Sequence, residues 1–168
     1  MNLPHNLPAC CTPLDEHWPL PLAVPHSVLL GTQFDPAQLA PDDFQRSRIA
    51  APASIQRSVA KRQAEFLAGR FAGRFCARAA LLKLDGTDCV PAIGEDRAPI
   101  WPGHVCGSIT HGTGRAAAIV ADKQHWRSLG MDLENLPTSA PSAWPLKFSL
   151  QTNCSAWPQA PSNRSPWR

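Results

Sequence analysis

Two carboxylates near the end of a short apolar pattern are the first candidates for chemistry. Residues 130–134 are G-M-D-L-E, which places Asp132 and Glu134 two positions apart. In a β-strand, side chains with this spacing point to one face and lie about 7 Å apart along the chain. Like charges at this separation repel unless a hard cation lies between them, and Mg²⁺ takes oxygen ligands of this kind. The pattern indicates either a divalent metal pair or an exposed strand face.

A second candidate is a strand end rich in groups that bind phosphate. Residues 107–112 are G-S-I-T-H-G, in which Ser108 offers a hydroxyl, His111 an imidazole and the glycine turn open backbone N–H groups. Such donors bind phosphate oxygens. The competing interpretation is that the histidine is a structural residue at the end of a strand.

Basic residues supply the third candidate. Lys61 and Arg62 stand at the start of the longest helical pattern, where free N–H groups and the helix dipole favour anions. Cations are unfavourable at this end of a helix unless an anion is present. Arg97, in a turn-rich segment, offers another phosphate contact.

The elements that must position these residues begin with one long helix, predicted over residues 61–84. Its apolar residues recur every three or four positions, Ser58 is a suitable N-cap, and Asp85-Gly86 ends the pattern. Three arginines step by four along this helix and are therefore expected on a common face: Arg70, Arg74 and Arg78. That face is either a solvated flank or a surface that contacts a ligand.

Strand patterns occupy most of the remaining regular sequence. Residues 24–34 predict a strand, and Pro25 either confines it to the edge of a sheet or delays its start. Three short strands are predicted further on, at residues 105–110, 115–121 and 129–133. A tight turn at Gly112–Gly114 predicts that the first two form a hairpin. One helix followed by several strands predicts an α+β fold.

Composition restricts the class of protein. The 168 residues include 16 Lys and Arg against 13 Asp and Glu, a formal net charge of +3, which is too mild to predict a nucleic-acid partner. A small nucleic-acid-binding module that uses the arginine face is a weaker alternative. Six cysteines without a C-x-x-C pair predict neither a zinc ribbon nor a thioredoxin-like motif. Without a signal sequence or a membrane span, the chain is expected to be cytoplasmic.

The order of four motifs carries a resemblance to a known family. They read K-R-Q-A-E-F-L-A-G-R, P-A-I-G-E-D-R-A-P-I-W-P, G-S-I-T-H and G-M-D-L-E, within residues 18–135. This series resembles the 4′-phosphopantetheinyl transferases of the enterobactin synthetase type. The resemblance implies Mg²⁺-dependent transfer of the phosphopantetheine group from coenzyme A to a serine of an acyl- or peptidyl-carrier protein, in siderophore, nonribosomal peptide or fatty acid synthesis. It also implies the first half of a pseudo-twofold α+β fold.

The resemblance assigns roles to particular residues. It implies that Asp132 and Glu134 are catalytic metal ligands. It implies that coenzyme A is bound by residues of the other motifs: Lys61, Arg62, Arg70, Arg97, Ser108 and His111. Which of Lys61, Arg62 and Arg70 contacts a phosphate stays open.

The predicted organisation is an irregular arm at residues 1–24, an α+β domain at 25–135 and an irregular tail at 136–168. The tail holds six Pro, six Ser and three Trp but no Asp or Glu. The resemblance also implies an F-S-x-K-E-x-x-F-K-A motif that supplies a third metal ligand and a general base. Residues 147–150 are only superficially similar to it. Codons compatible with residues 142–157, read from the third base of each, permit RLAAEILTPDELQRLA. We therefore expect a truncated transferase with a frameshifted tail, or alternatively an inactive fragment that at most binds coenzyme A.

Overall fold

One long helix packed across a three-stranded antiparallel sheet forms the centre of the fold. The computed structural model describes residues 7–18, 23–50, 61–112, 114–133 and 146–152, and for residues 61–63 and 146–152 it describes the backbone alone. The elements are β1 Ser27–Gln33, a 3-10 turn Pro36–Gln38, α1 Pro41–Arg46, α2 Lys61–Asp85, β2 Ala92–Ile93, β3 Pro99–Ile100, β4 Val105–Gly112, β5 Arg115–Asp122, β6 Trp126–Leu133 and β7 Leu146–Thr152. The predicted mixture of helix and antiparallel strands is confirmed.

Helix α2 agrees with the sequence pattern to within one residue at its end. It stops where Gly86 takes a φ of +84°, a left-handed conformation that glycine adopts without steric cost. The predicted N-cap, Ser58, lies outside the described residues. Phe71 and Phe75 are almost fully buried, as the apolar stripe predicts. Among the helices of the described segments, none is both long and apolar enough to cross a membrane.

The sheet has the strand order β1-β5-β4, with β5 in the centre. Its six residues from Ala116 to Ala121 are all buried, because both faces of this strand are covered. The predicted hairpin is confirmed, since β4 and β5 pair in a register that places Gly112 opposite Arg115. β1 is the outer strand of this sheet and begins at Ser27, after Pro25, so both effects expected of the proline are consistent with the structure.

Two glycines let α2 lie unusually close to β4. A Cβ atom built on Gly69 would lie 2.7 Å from Nδ1 of His111, and one built on Gly73 would lie 2.6 Å from Cγ2 of Ile109. Both glycines belong to a tandem A-G-R-F quartet, Ala68–Phe71 followed by Ala72–Phe75. Four residues are slightly more than one helical turn, so the repeat presents the same residue types to β4 on successive turns.

Arg78 departs from the common arginine face predicted from the sequence. It is 9% exposed, and its guanidinium donates from Nε to Oδ1 of Asp88 over 2.5 Å and from Nη1 to the carbonyl oxygen of Ser47 over 3.2 Å. Each step of four residues rotates about 40° around a helix, so eight residues move the side chain about 80° away from Arg70. The prediction of a shared face is therefore wrong for Arg78, which ties α2 to the segment after α1.

The expectation of an irregular tail is wrong for part of residues 136–168. Leu146–Thr152 forms strand β7, which pairs antiparallel with β6 and places Lys147 opposite Asp132. The missed signal is a short alternation, with Leu, Phe and Leu at positions 146, 148 and 150 and polar residues between them. A period of two residues is typical of a strand. Residues 134–145 and 153–168 lie outside the description.

The close packing of α2 on β4 predicts the effect of adding a methyl group. Gly73→Ala should raise helix propensity by about 1 kcal/mol but force Ile109 and β4 away, at a cost of about 1–3 kcal/mol. We expect a lower free energy of unfolding in urea, or at best no gain. Gly103→Ala, where a Cβ meets nothing within 4 Å, is the control and should change it little. Clear stabilisation by Gly73→Ala would contradict the packing described here.

Candidate functional site

A positively charged cleft opens between α2, the β2–β3 hairpin and β4. We call it the arginine cleft; its volume is about 660 Å³. The residues that line it are Phe66, Arg70, Arg74, Ile93, Arg97, Pro99, Ile109 and His111. None of these described lining residues is acidic, so the charges of three guanidinium groups are not neutralised from within the lining. Such an arrangement favours anions that accept several hydrogen bonds, phosphates above all.

The sequence repeat explains why two of the arginines lie on the same wall. Arg70 and Arg74 follow Gly69 and Gly73, the glycines that bring α2 against β4. A single step of four residues keeps both side chains on the side of the helix that borders the cleft. Arg78 lies a further four residues along the helix and no longer faces the cleft. The prediction for Arg70 and the common-face prediction for Arg74 are therefore consistent with the geometry of the cleft.

Arg97 reaches the cleft from a strained turn. Its φ is +67°, a left-handed conformation that is uncommon for a residue with a side chain. Backbone hydrogen bonds hold the turn in place: Gly94 accepts from the N–H of Arg97 and donates to the carbonyl oxygen of Ala98. Residues held in such conformations cluster at ligand-binding sites. Sequence alone located Arg97 in a turn but gave no sign of this conformation.

The electrostatics of the cleft follow from the crowding of its cations. Burial, and then the neighbouring charge of Arg70, lower the pKa of Arg74. Burial lowers the pKa of His111 below its ordinary value of 6.5, and the charges of Arg70 and Arg74 lower it further. His111 is therefore neutral at pH 7 in the free protein. An anion bound between these groups would offset the repulsion between their positive charges.

A second group of polar contacts joins β4 to β6. The hydroxyl of Ser108 accepts a hydrogen bond from the N–H of Met131 over 3.2 Å and donates to the carbonyl oxygen of the same residue over 3.5 Å. Thr110 Oγ1 accepts from the N–H of Leu133 over 3.2 Å. The two hydroxyls thus satisfy backbone groups of β6. Ser108 has a structural partner here, and its predicted contact with a phosphate stays a prediction.

Asp132 is exposed beside this junction. Its Oδ1 accepts from the N–H of Leu133 over 2.9 Å and from Oγ1 of Thr110 over 3.3 Å. Thr110 belongs to the strand end that the sequence singled out for phosphate binding, but no contact with Asp132 was predicted for it. The alternation of β4 is the signal that places it and Ser108 on one face.

The donor set around Asp132 partly fits a magnesium ion. Glu134, its predicted partner, lies outside the described residues. Within the described part of the chain, no three His, Cys, Asp or Glu side chains come together as a possible metal site. Mg²⁺ commonly takes only one or two carboxylates and completes its shell with water and substrate phosphates. An exposed carboxylate therefore fits a shared metal site but not a closed protein cage.

The carboxylate and the imidazole lie at one end of β4 but on opposite sides of it. Neighbouring side chains of a strand point to opposite faces. His111 contacts the α2 side, where Gly69 lies against its ring, whereas Thr110 contacts Asp132 on the β6 side. A ligand that reaches both must pass around the end of the strand near Gly112. Lys61 and Arg62 are in the first turn of α2, and their side chains lie outside the description.

Comparison with known proteins gives one family and several relatives. The family model described as the 4′-phosphopantetheinyl transferase N-terminal domain matches residues 50–121, which include every lining residue of the arginine cleft and end before Asp132. Enterobactin synthase component D of Escherichia coli strain K12 is 37% identical over 120 residues, 71% of this chain and 48% of the relative. The transferase Npt of Nocardia iowensis is 45% identical over 80 residues, 48% of this chain and 34% of the relative.

Another relative belongs to a third genus. The 4′-phosphopantetheinyl transferase PptT of Mycobacterium tuberculosis is 42% identical over 81 residues, 48% of this chain and 34% of the relative. The chain spans about half the length, or less, of the curated relatives that it matches.

The low pKa of His111 predicts how its ring titrates. In a ¹H–¹⁵N NMR titration, the pKa of His111 should lie below 6.5 and should rise in Arg70→Gln, which removes one of the repelling charges. Pyrophosphate bound in the cleft should raise it as well. Because the folded pKa lies below the unfolded one, acidification through pH 6.5 should lower the free energy of unfolding.

Arg46→Gln is the control for that titration, because Arg46 lies on α1, does not line the cleft and pairs with Asp43. An equal change in the pKa of His111 for both variants would contradict a local effect of the cleft arginines.

Proposed function

Since this chain carries the N-terminal domain of the 4′-phosphopantetheinyl transferase family, we propose that it binds coenzyme A through the phosphates of that molecule in the arginine cleft. The observation that supports this most is the grouping of Arg70, Arg74 and Arg97 around a neutral His111, without an acidic residue in the lining. Coenzyme A carries a diphosphate and a separate phosphomonoester. Three guanidinium groups match that distribution of negative charge.

The proposed reaction moves the 4′-phosphopantetheine group to a serine of an acyl- or peptidyl-carrier protein. A bond forms between the serine oxygen and the phosphorus next to pantetheine, and the diphosphate bridge breaks. The serine loses its proton, and adenosine 3′,5′-bisphosphate leaves with the negative charge. Arg70 and Arg74 would hold this leaving group, because guanidinium groups stabilise charge that develops on phosphate oxygens.

Magnesium has a defined place in this proposal. Asp132 and Glu134 would hold the ion, and when bound it neutralises charge on the diphosphate and so lowers the barrier to departure of the nucleotide. Thr110, whose hydroxyl donates to Oδ1 of Asp132, would orient that carboxylate. His111 and Ser108 would contact phosphate oxygens from β4, and Lys61 and Arg62 from the start of α2.

The alternative function is binding of coenzyme A without transfer. It is favoured by one observation in the sequence: Gln151 and Thr152 stand where the resemblance places a lysine and the glutamate that acts as general base. General-base catalysis contributes about 10²- to 10⁴-fold to a rate, so its loss would leave little activity.

The proposed function extends to the domain organisation, the protein partner and the location of the chain. We propose that residues 25–135 form one half of a pseudo-twofold fold, that the partner is a carrier protein of siderophore or fatty acid synthesis, and that the chain acts in the cytoplasm. The names of the enterobactin synthase relatives support the siderophore route.

Binding tests the role of the cleft directly. Arg74→Gln should weaken the affinity of the full chain for coenzyme A, measured by isothermal titration calorimetry, by about 10- to 100-fold, because a hydrogen bond to a charged group contributes about 1.5–3 kcal/mol. Arg46→Gln, a matched change outside the cleft, should bind as the unaltered chain does. Equal affinities for all three proteins would exclude the arginine cleft as the binding site.

Transfer is tested by the mass of a carrier protein incubated with coenzyme A, Mg²⁺ and this chain. The transferase predicts a mass gain that Asp132→Ala reduces at least tenfold and that Asp122→Ala, at the opposite end of the sheet, retains. Binding of coenzyme A without any mass gain would establish the alternative. Full activity of Asp132→Ala would contradict the proposed metal ligand.

A further inference from the structure

Phe66 is an aromatic residue that stands unusually exposed at the arginine cleft. It lies on α2 one turn before Arg70, lines the cleft and is 50% exposed. The guanidinium of Arg70 lies 5.4 Å from the centre of its ring, and the ring of His111 meets it edge-on at 5.6 Å. These two contacts orient the ring but leave half of the residue's surface uncovered.

The apolar part of the cleft extends beyond this one ring. The β2–β3 hairpin contributes Ile93, which is 49% exposed, and Pro99, which is partly buried. The cleft thus combines an apolar portion with the guanidinium groups of Arg70, Arg74 and Arg97. Inorganic phosphate has no apolar surface to place against an exposed aromatic ring. A ligand with both phosphates and a flat base can contact both portions of the cleft.

We propose that Phe66 is a base-stacking residue, on which the adenine ring of the bound nucleotide lies while the cleft arginines hold its phosphates. This inference rests on the proposed binding of coenzyme A. Adenine has an extended π face, and stacking on an aromatic side chain requires no hydrogen bond to the base. Arg70 contacts the ring of Phe66 from within the phosphate-binding wall, so the base and a phosphate of one ligand would lie side by side.

The role of Phe66 makes the cleft selective for nucleotides over simple phosphates. Removal of the ring should weaken binding of any ligand that carries the base and leave binding of pyrophosphate unchanged. The other explanation for an exposed phenylalanine is contact with a protein partner, in which case neither small ligand would depend on it. The two explanations differ in a measurable quantity, the ratio of the two affinities.

The experiment compares the full chain with Phe66→Ala and Phe66→Leu by isothermal titration calorimetry. The probes are adenosine 3′,5′-bisphosphate, which carries the base, and inorganic pyrophosphate, which does not. Phe66→Ala should bind the bisphosphate about 5- to 150-fold more weakly, as expected for the loss of one stacked base, and pyrophosphate within about twofold of the unaltered chain. Phe66→Leu keeps apolar bulk without the π face and should fall between the two.

The outcomes separate this inference from the proposed function. If the unaltered chain binds neither probe, the proposed function and the inference both fail. If it binds both and Phe66→Ala binds the bisphosphate equally well, stacking is wrong while coenzyme A binding stands, and a role in protein contact is favoured. If Phe66→Ala loses both probes equally while its circular dichroism is unchanged, Phe66 shapes the phosphate wall and the stacking assignment is overturned.

Discussion

Helix α2 contacts strand β4 at two glycines, and the geometry of the whole site depends on this contact. Without side chains at Gly69 and Gly73, the helix approaches until His111 and Ile109 touch its backbone surface. The arginine that follows each glycine is then held at the edge of the contact, beside His111. Close packing of the core thus brings like charges together, an unfavourable arrangement unless an anion occupies the cleft.

The other side of β4 is organised by hydroxyl groups. Ser108 and Thr110 bond to backbone groups of β6, and Thr110 also holds one oxygen of Asp132. Each face of a single strand therefore carries a different chemistry: cationic towards α2 and anionic towards β6. Under the proposed function, a molecule with several phosphates would bind the first face directly and the second through a divalent cation.

Periodicity was sufficient to predict the long helix, because burial acts on faces that repeat along the chain. The β4–β5 hairpin and the edge position of β1 were predicted from single residues instead, the glycines of the turn and Pro25. Arg70, Arg97 and His111 were likewise proposed from the sequence and do meet in one cleft. The spacing of Arg78 suggested the same face as Arg70 and Arg74. Its side chain instead bonds to Asp88, ten residues away, and this pairing is not visible in the spacing. The hydroxyl of Ser108 also depended on a partner, Met131, that no local pattern reveals. Strand β7 was missed because its short alternation lies within a segment rich in Pro and Ser, a composition that favours irregular structure.

A crystal structure of the full chain with coenzyme A tests the central claim most directly. The account predicts that phosphate groups of the ligand lie within hydrogen-bond distance of the guanidinium groups of Arg70 and Arg74, in the cleft between α2 and β4. Coenzyme A bound elsewhere on the surface, with both arginines facing solvent, would contradict it.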